Sequence, residues 1–329
     1  MPMEKSSQAP NSPLLSIIVV SYNTREILRE CLNRVKAHGG GVDLEVIVVD
    51  NASTDGSPDM VRNDFPEAVL VVSERNLGFA GGNNLGIRKV TGKYILLLNS
   101  DAYLLPGVLE ATLSFMDMTP DCGVLGVKLI GEDGGMQPCA RKLPTPWLKF
   151  LVISGIAAKF PKSKFWGGMD HSWWDHDAPR EVGWVPGAYF LLRKDMVNAI
   201  GGLDERYFLY FEETDYCLQA IRAGWRVMIF PEVSVIHLGG ESSKTEDQAM
   251  SVKGKQILKY HFQSEFKYYR KNYSILRVFA AAGVEVFWYM VVIIKNVVWR
   301  RSTSSQKIQD SWAFITMIFQ TLRSSRWGR

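Results

Sequence analysis

A chain of 329 residues with 47% hydrophobic and 22% charged residues has the composition of a globular protein, which excludes disordered and collagen-like classes. The net charge of +4 is unevenly placed, since residues 253–329 carry 14 Lys and Arg against 3 acids, and residues 1–252 carry 24 against 31. A basic tail predicts contact with an anionic surface. Because no nucleic-acid-binding motif accompanies it, we expect a membrane and no nucleic acid.

Four continuous apolar runs in the first hundred residues predict strands, at 15–22, 44–50, 68–74 and 94–101. Helical segments separate them, at 24–38, 56–64 and 79–90. Val, Ile and Leu runs that do not alternate with polar residues are typical of parallel strands covered on both faces. The sequence therefore predicts an α/β fold with a Rossmann-like, mainly parallel sheet and helices on both faces.

The pattern changes after residue 120. Further strands are predicted within 123–131, 183–195 and 225–237, and the Trp-, Pro- and Lys-rich segment 139–181 is predicted as loop and short helix. Residues 253–329 are predicted to be helical throughout. Four cysteines without close pairing, and no apolar leader in the first thirteen residues, favour a reducing cytoplasm.

Polar residues end each of the first four predicted strands, at Ser21-Tyr22-Asn23, Asp50-Asn51, Glu74-Arg75-Asn76 and Asn99-Ser100-Asp101. In open α/β sheets, ligands bind outside the carboxyl ends of the strands. Turn formation explains any single one of these endings as well, but four together favour a shared crevice. Glycines at 78, 81, 82 and 86 then open a helix and allow a nucleotide to approach, although a tight turn is an equal alternative.

Carboxylates and one histidine are candidates for chemistry. Asp101 can hold Mg²⁺ or Mn²⁺ at the end of a buried strand, or it can cap a turn. Glu212, Glu213 and Asp215 lie at the start of a helix, where the helix dipole explains one or two acids but not three. Carboxylates that cluster raise one another's pKa as a rule, so one acid of such a group can act as a general base. His237 leaves a strand before a glycine pair and is either a metal ligand or a structural residue.

Seven motifs occur in one order along residues 14–245: SIIVVSYN, EVIVVDNASTDGS, RNLGFAGGNNLGI, YILLLNSDAYLLPG, VPGAYFLLRKD, GGLDERYFLYFEETDYCLQAIRAGW and HLGGES. Together they resemble the inverting family 2 glycosyltransferases of GT-A fold, in particular the rhamnosyltransferase-like branch. The resemblance implies a flexible arm at 1–13, a GT-A catalytic domain at 14–252 and a helical, membrane-associating region at 253–329.

The resemblance also implies a donor site for a dTDP- or UDP-linked sugar, with Mn²⁺ or Mg²⁺ as cofactor. Asp101 would bind the metal that bridges the donor's diphosphate, Asn99 stands where stricter motifs have an acid, and His237 would complete the metal site. Asp50 would contact the nucleoside. The donor pocket would be lined by Ser21, Tyr22, Asn76, Gly78 and Asn83.

Catalytic and acceptor residues follow from the same resemblance. Glu213 would be the catalytic base, with Glu212 as its paired acid and Asp215 in support. Trp184, Gly187 and Ala188 would form the acceptor loop. The reaction implied is a single in-line displacement that transfers a sugar, rhamnose in this branch, to a hydroxyl of a glycan acceptor in cell-surface polysaccharide synthesis. One alternative is a non-catalytic module that binds sugars or nucleotides. Another is a sugar nucleotidyltransferase, but such an enzyme would have a basic Gly-rich phosphate loop near the N-terminus, and this sequence shows no such loop there.

Residues 275–299 are long enough to cross a bilayer, but Arg277, Glu285 and Lys295 interrupt them. At about 100° per residue these charges form one stripe on an apolar cylinder, which predicts a helix lying in the membrane interface. Basic neighbours add attraction to anionic lipid: Lys255, Lys259, Lys267, Arg270, Lys271, Arg300 and Arg301. We therefore expect a peripheral protein on the cytoplasmic face of the cell membrane, with a lipid-linked acceptor. A core helix packed on the body, or on a second subunit in a homo-oligomer, is the alternative.

Overall fold

The computed structural model describes residues 13–239, 252–299 and 303–324. Almost all of the predicted arm lies outside these ranges, as does the end of the HLGGES motif. The side chains of Lys253 and Lys255, and both Arg300 and Arg301, also lie outside the described residues.

One mixed sheet organises the described residues. Its strands are β1 (Leu15–Ser21), β2 (Leu44–Asp50), β3 (Val69–Val72), β4 (Tyr94–Asn99), β5 (Ala102–Tyr103), β6 (Cys122–Ile130), β7 (Met136–Gln137), β8 (Arg180–Glu181), β9 (Tyr189–Arg193) and β10 (Arg226–His237). The main path runs β3-β2-β1-β4-β9-β6-β10-β5, with β7 paired to β6 and β8 paired to β10. The sequence prediction of an α/β fold is confirmed.

Helices separate and follow these strands. They are α1 (Arg25–His38), α2 (Ser57–Asp64), α3 (Gly78–Ile87), α4 (Val108–Met118), α5 (Pro146–Ile153), α6 (Ile156–Lys159), α7 (Lys194–Ile200), α8 (Glu212–Arg222), α9 (Val252–Asn272), α10 (Ile275–Val298) and α11 (Ser304–Arg323). The helical prediction for the C-terminal region therefore agrees with α9, α10 and α11.

The first half of the sheet is parallel, as predicted. β1 pairs in parallel with β2 and with β4, in a register that sets Ser21 opposite Asp50 and Val20 opposite Asn99. The second half differs, because β9 joins β4 and β6 by antiparallel pairing. Strands β1 and β4 are buried along almost their whole length, which explains their unbroken apolar runs. The register brings the polar strand ends to one edge of the sheet.

The C-terminal helices pack on the α/β body through a second hydrophobic core. Its fully buried rings include Tyr207 from the body and Phe266, Tyr268 and Tyr269 from α9. Val278 and Ala281 bring α10 into the same core, and Ile318 brings α11. The region after residue 252 is thus in direct contact with the fold that precedes it.

Helix α10 has one packed side and one exposed side. Within the described residues it is the one helix long and apolar enough to cross a membrane, a property that core helices of soluble proteins share. Arg277 and Lys295 are exposed, but Glu285 is buried and forms an ion pair with Lys149 of α5. The prediction of one stripe with all three charges is therefore wrong for Glu285, because its side chain is buried against Lys149 of the body.

Candidate active site

A cleft of about 540 Å³ opens at the carboxyl ends of β1, β2 and β4. One wall consists of residues at these strand ends and at the start of α3: Val20, Tyr22, Asn51, Asn76, Gly78, Phe79, Asn99, Ser100 and Asp101. The other lining residues are Pro186, Gly187, Ala188, Phe208, Leu209, Tyr210, Glu213, His237 and, from α9, Gln256, Ile257 and Tyr260. The crevice predicted from the strand ends is present.

Asn51 organises the part of the cleft next to the start of α3. Its Nδ2 donates to Asn76 Oδ1 at 3.0 Å and to the Gly78 carbonyl at 3.1 Å, and its Oδ1 accepts from the Leu77 amide at 2.9 Å. Gly78 has a φ of +73°, and a Cβ there would lie 2.1 Å from the Phe208 carbonyl oxygen. Glycine is therefore required at this position, because only it allows the two backbones to approach so closely.

Three predicted donor residues lie behind the cleft wall. Ser21 is buried and shares a hydrogen bond of 3.0 Å with Thr24 Oγ1. Asp50 is buried, accepts from the Ser53 amide at 2.9 Å through Oδ2, and has no hydrogen-bond partner at Oδ1 among the described residues. Asn83 donates to the Phe79 carbonyl from within α3. None of the three lines the cleft, so direct donor contact by them stays a prediction.

Asp101 and His237 form the candidate metal site. The His237 Nε2 atom lies 3.6 Å from Asp101 Oδ1. At its other ring nitrogen, Nδ1 is 2.8 Å from Gln137 Oε1. Burial lowers the pKa of His237, and the nearby Asp101 charge opposes that shift. A neutral imidazole with one nitrogen held by an amide oxygen has its other nitrogen available to a cation.

The described residues contain no group of three His, Cys, Asp or Glu side chains that would hold a metal ion by themselves. The Asp101 and His237 pair nevertheless fits Mn²⁺ or Mg²⁺, since such ions take phosphate oxygens and water in their remaining positions. Asn99, in the stricter motif's acidic position, lines the same wall and adds no charge. The residues present are consistent with a cation held jointly by the protein and a bound diphosphate.

A strained turn presents the acidic pair. Tyr210 and Phe211 have φ values of 67° and 69°, a left-handed conformation that is unfavourable for bulky side chains. Rings of α9 pack against the turn, with His261 5.6 Å from Tyr210 and Tyr268 5.4 Å from Phe211. This packing stabilises the turn and directs the first residues of α8 towards the cleft.

Glu212 and Glu213 start α8 but differ in position. Glu212 is 4% exposed and does not line the cleft, whereas Glu213 is partly exposed and does. Burial, and then the charge of Glu213, raise the pKa of Glu212 well above its usual value. Burial also raises the pKa of Glu213, and the charge of Arg141 opposes part of that rise. A carboxyl with a raised pKa that faces the cleft has the properties of a general base.

Asp215 lies on the other side of α8, away from the cleft. It accepts hydrogen bonds from Lys271 Nζ at 2.7 Å and Asn272 Nδ2 at 2.6 Å, and from the Tyr207 hydroxyl at 3.3 Å. These contacts tie α8 to the C-terminal end of α9. They indicate a positioning role for Asp215, and its predicted part in catalysis stays a prediction.

The predicted acceptor loop is divided between the cleft and the core. Gly187 and Ala188 line the cleft, and a Cβ on Gly187 would lie 2.9 Å from the Phe79 ring. Trp184 is 8% exposed, its indole donates to the Lys142 carbonyl at 3.1 Å, and the Arg141 guanidinium lies 5.0 Å from its ring. Its ring does not line the cleft, so it supports Arg141 instead of offering a face to a sugar there.

Several residues of the site were not found from the sequence. Gln137 lies on a two-residue strand with no motif of its own, and Arg141 acts on Glu213 through its charge. Gln256, Ile257 and Tyr260 of α9 were assigned to a membrane-associating region, yet they line the cleft. In the sequence, residues 134–169 contain no Asp or Glu, and this gap in the acidic residues could have pointed to a functional surface near Arg141.

Comparison with known families decides the class of this domain. Residues 16–148 match the family model described as Glycosyl transferase family 2. This segment is a family 2 glycosyltransferase domain. The match covers β1 to β4 and the strand-end residues Tyr22, Asn51, Asn76 and Asp101. The family suggested by the sequence motifs is confirmed.

Two curated relatives extend the likeness beyond this domain. The chain is 28% identical over 212 residues to an N-acetylglucosaminyl-diphospho-decaprenol L-rhamnosyltransferase of Mycobacterium tuberculosis, covering 59% of this chain and 66% of that protein. It is 25% identical over 227 residues to a low-salt glycan biosynthesis hexosyltransferase of Haloferax volcanii, covering 68% and 66%. The chain thus spans slightly less than two thirds of each relative's length.

A solved structure supports the fold assignment. A mannosyltransferase from Pyrobaculum calidifontis, determined in complex with GDP-Man and Mn²⁺, superposes with a TM-score of 0.54 at 16% identity. The superposition covers 98% of this chain and 91% of that one, so it includes the C-terminal helices. The GT-A fold of the family 2 domain is confirmed.

Proposed function

We propose that this protein is a metal-dependent, inverting glycosyltransferase. It would transfer a sugar from a nucleoside diphosphate donor to a hydroxyl group of a glycan acceptor in cell-surface polysaccharide synthesis. The observation that carries the proposal is that Glu213 and the Asp101 and His237 pair line the same cleft of a family 2 domain. A base and a cation site that line one cleft are the two groups that this reaction requires.

Each side of the cleft has its own task. Asn51 fixes the turn at Asn76 and Gly78, against which the nucleotide would bind. Asp101 and His237 would hold Mn²⁺ or Mg²⁺, which offsets the negative charge of the donor's diphosphate. Glu213 would accept the proton of the acceptor hydroxyl as that oxygen attacks the anomeric carbon. The bond from this carbon to the phosphate oxygen breaks at the same time, so the anomeric configuration inverts.

The similarity to a rhamnosyltransferase that acts on a diphospho-decaprenol supports a more specific proposal. We take a dTDP- or UDP-linked sugar, with rhamnose first, as the donor and a lipid-linked glycan as the acceptor. Such an acceptor fits a peripheral position on the cytoplasmic face of the membrane. The exposed apolar side of α10 supports the same location.

A binding screen tests the proposal. Purified full-length protein is titrated with a panel of nucleotide sugars, with and without Mn²⁺, and binding is measured by calorimetry. We expect metal-dependent binding of one nucleotide class, and transfer to a lipid-linked acceptor with the preferred donor. An Asp101→Asn variant provides the control, since it should lose the increase in nucleotide-sugar binding that Mn²⁺ causes. Failure of every nucleotide sugar to bind in the presence of Mn²⁺ would overturn the proposal.

A further inference from the structure

A group of exposed and half-buried aromatic side chains lies on α5 and on the segment after α6. It consists of Trp147, Phe150, Phe165 and Trp166, and we call it the aromatic platform. The Trp147 ring lies 5.7 Å from Phe150, 6.2 Å from Phe165 and 6.1 Å from Trp166. Trp147 is 46% exposed, Phe165 61% and Trp166 38%. Large rings that pack on one another at the surface are typical of a contact site.

The platform adjoins the exposed side of α10. The Phe150 ring lies 6.4 Å from the ring of Trp288, and Lys149 of α5 forms an ion pair with Glu285. Next to these contacts, α10 exposes an apolar face: Leu276, Phe279, Phe287, Met290, Ile294 and Val297. The aromatic platform and the apolar face of α10 are therefore neighbours. The platform lies on α5 and the segment after α6, whereas α10 belongs to the C-terminal region.

The segment that carries the platform is rich in basic residues. Residues 134–169 contain six Lys and Arg and no Asp or Glu, within a body whose net charge is −7 over residues 1–252. Lys159, Lys162 and Lys164 are exposed and lie within a few residues of Phe165 and Trp166 in sequence. A basic cluster with exposed Trp and Phe has the composition of an interfacial membrane contact.

We propose that the aromatic platform docks on the surface of an anionic lipid bilayer, as a second membrane contact beside α10. Its Trp and Phe rings would lie at the level of the headgroups, and the nearby lysines would add electrostatic attraction to anionic lipid. A second copy of this chain is a poorer occupant. A two-fold contact would bring the same lysines of both copies together, without acids between Gly134 and Met169 to compensate them.

The docking surface is close in sequence to a residue whose charge acts on the catalytic base. Arg141, whose charge acts on Glu213, precedes Trp147 by only six residues and is held on Trp184. Docking through the platform would therefore bring the Glu213 side of the cleft near the bilayer. This step rests on the proposed function, because it explains how an acceptor embedded in that bilayer would reach the base.

The test uses full-length protein and vesicles of phosphatidylcholine with or without 30% phosphatidylglycerol, a composition of about one anionic lipid in three. The platform variant is Trp147→Ser/Phe165→Ser/Trp166→Ser, and a Phe165→Ser single variant guards against misfolding of the triple one. The matched control is Met118→Ser/Val69→Ser, which removes apolar side chains that are 73% and 46% exposed elsewhere. Co-sedimentation gives the partition coefficient of each variant.

We expect the triple variant to bind anionic vesicles at least ~10-fold more weakly than wild type, because partitioning scales with the buried apolar area. The single variant should show a smaller loss of binding, and the control should show none. Unchanged vesicle binding by both platform variants would overturn the proposal, as would a change from dimer to monomer without loss of vesicle binding. Nucleotide-sugar binding without vesicles is measured on the same proteins. If wild type binds no nucleotide sugar but the platform variants still lose vesicle binding, the proposed function is wrong and the docking surface is confirmed.

Discussion

The Nε2 atom of His237 faces Asp101 Oδ1 at 3.6 Å, while its Nδ1 faces Gln137. Gln137 Nε2 donates to the His237 carbonyl oxygen at 2.8 Å, which leaves Gln137 Oε1 as the acceptor for Nδ1–H. The lone pair of the neutral imidazole is then at Nε2, on the side of Asp101. Gln137 thereby sets both the ring orientation and the tautomer required for a metal ligand.

We expect Gln137→Ala to raise the Mn²⁺ concentration for half-maximal activity by ~10- to 100-fold, because loss of an outer contact to a ligating histidine weakens metal binding by about that factor. Activity at saturating Mn²⁺ should fall much less. Glu132→Gln, at an exposed acid near the same short strand, is the control and should leave the metal titration unchanged. If Gln137→Ala shows the same Mn²⁺ dependence as wild type, Gln137 does not support the metal site.

Glu213→Gln should lower kcat by about 10²- to 10⁴-fold and leave donor affinity nearly unchanged, because the amide keeps the shape of the side chain but accepts no proton. Glu212→Gln should have a smaller effect, since Glu212 is buried outside the cleft. Steady-state rates and donor titration by calorimetry give both quantities. The opposite ranking of the two variants would assign the base to Glu212.

Arg141 should tune the pH dependence of the reaction. Its positive charge lowers the pKa of Glu213 against the larger effect of burial, so Arg141→Met should raise that pKa further. The acidic limb of the kcat/KM profile reports the base of the free enzyme and should move to higher pH. Arg226→Met is the control, because Arg226 pairs with Glu181 and Asp121. A shift to lower pH, or equal shifts in both variants, would contradict this assignment.

The sequence predicted the parts of the site that follow from local pattern. Strand ends such as Asn99 and Asp101, and the glycines after β3, were found because buried strands and tight turns restrict the residue types they accept. His237 and Glu213 were found through their place in a motif. These positions depend on neighbours in sequence, so one chain is sufficient to recognise them.

Other parts depend on contacts between distant segments. Gln137 reaches His237 across a hundred residues, and α9 contributes Tyr260 to a cleft built mainly by the preceding domain. Trp184 was expected in the acceptor loop, but its buried ring lies against Arg141 and does not line the cleft. Periodicity did not reveal that Glu285 would face a buried lysine. Each of these is decided by tertiary packing, which a local pattern does not encode.

Glu285 should make the stability of the protein depend on pH. Burial raises its pKa from 4.5 to about 7, and the charge of Lys149 opposes that rise. Between these values the unfolded carboxyl has lost its proton while the folded one still holds it. The unfolded state binds fewer protons there, so the free energy of unfolding falls as pH rises from about 4.5 to 7, by at most about 3 kcal/mol.

A Glu285→Gln variant carries no titrating group at this position and should lack that loss. Its melting temperature relative to wild type should therefore rise from pH 5 to about pH 7 and then level off. Thermal unfolding of both proteins in matched buffers measures this difference, and Glu232→Gln, at an exposed acid on β10, serves as the control. Parallel curves for wild type and Glu285→Gln across this range would show that Glu285 is already ionised in the fold, with Lys149 as a full counter-charge for it.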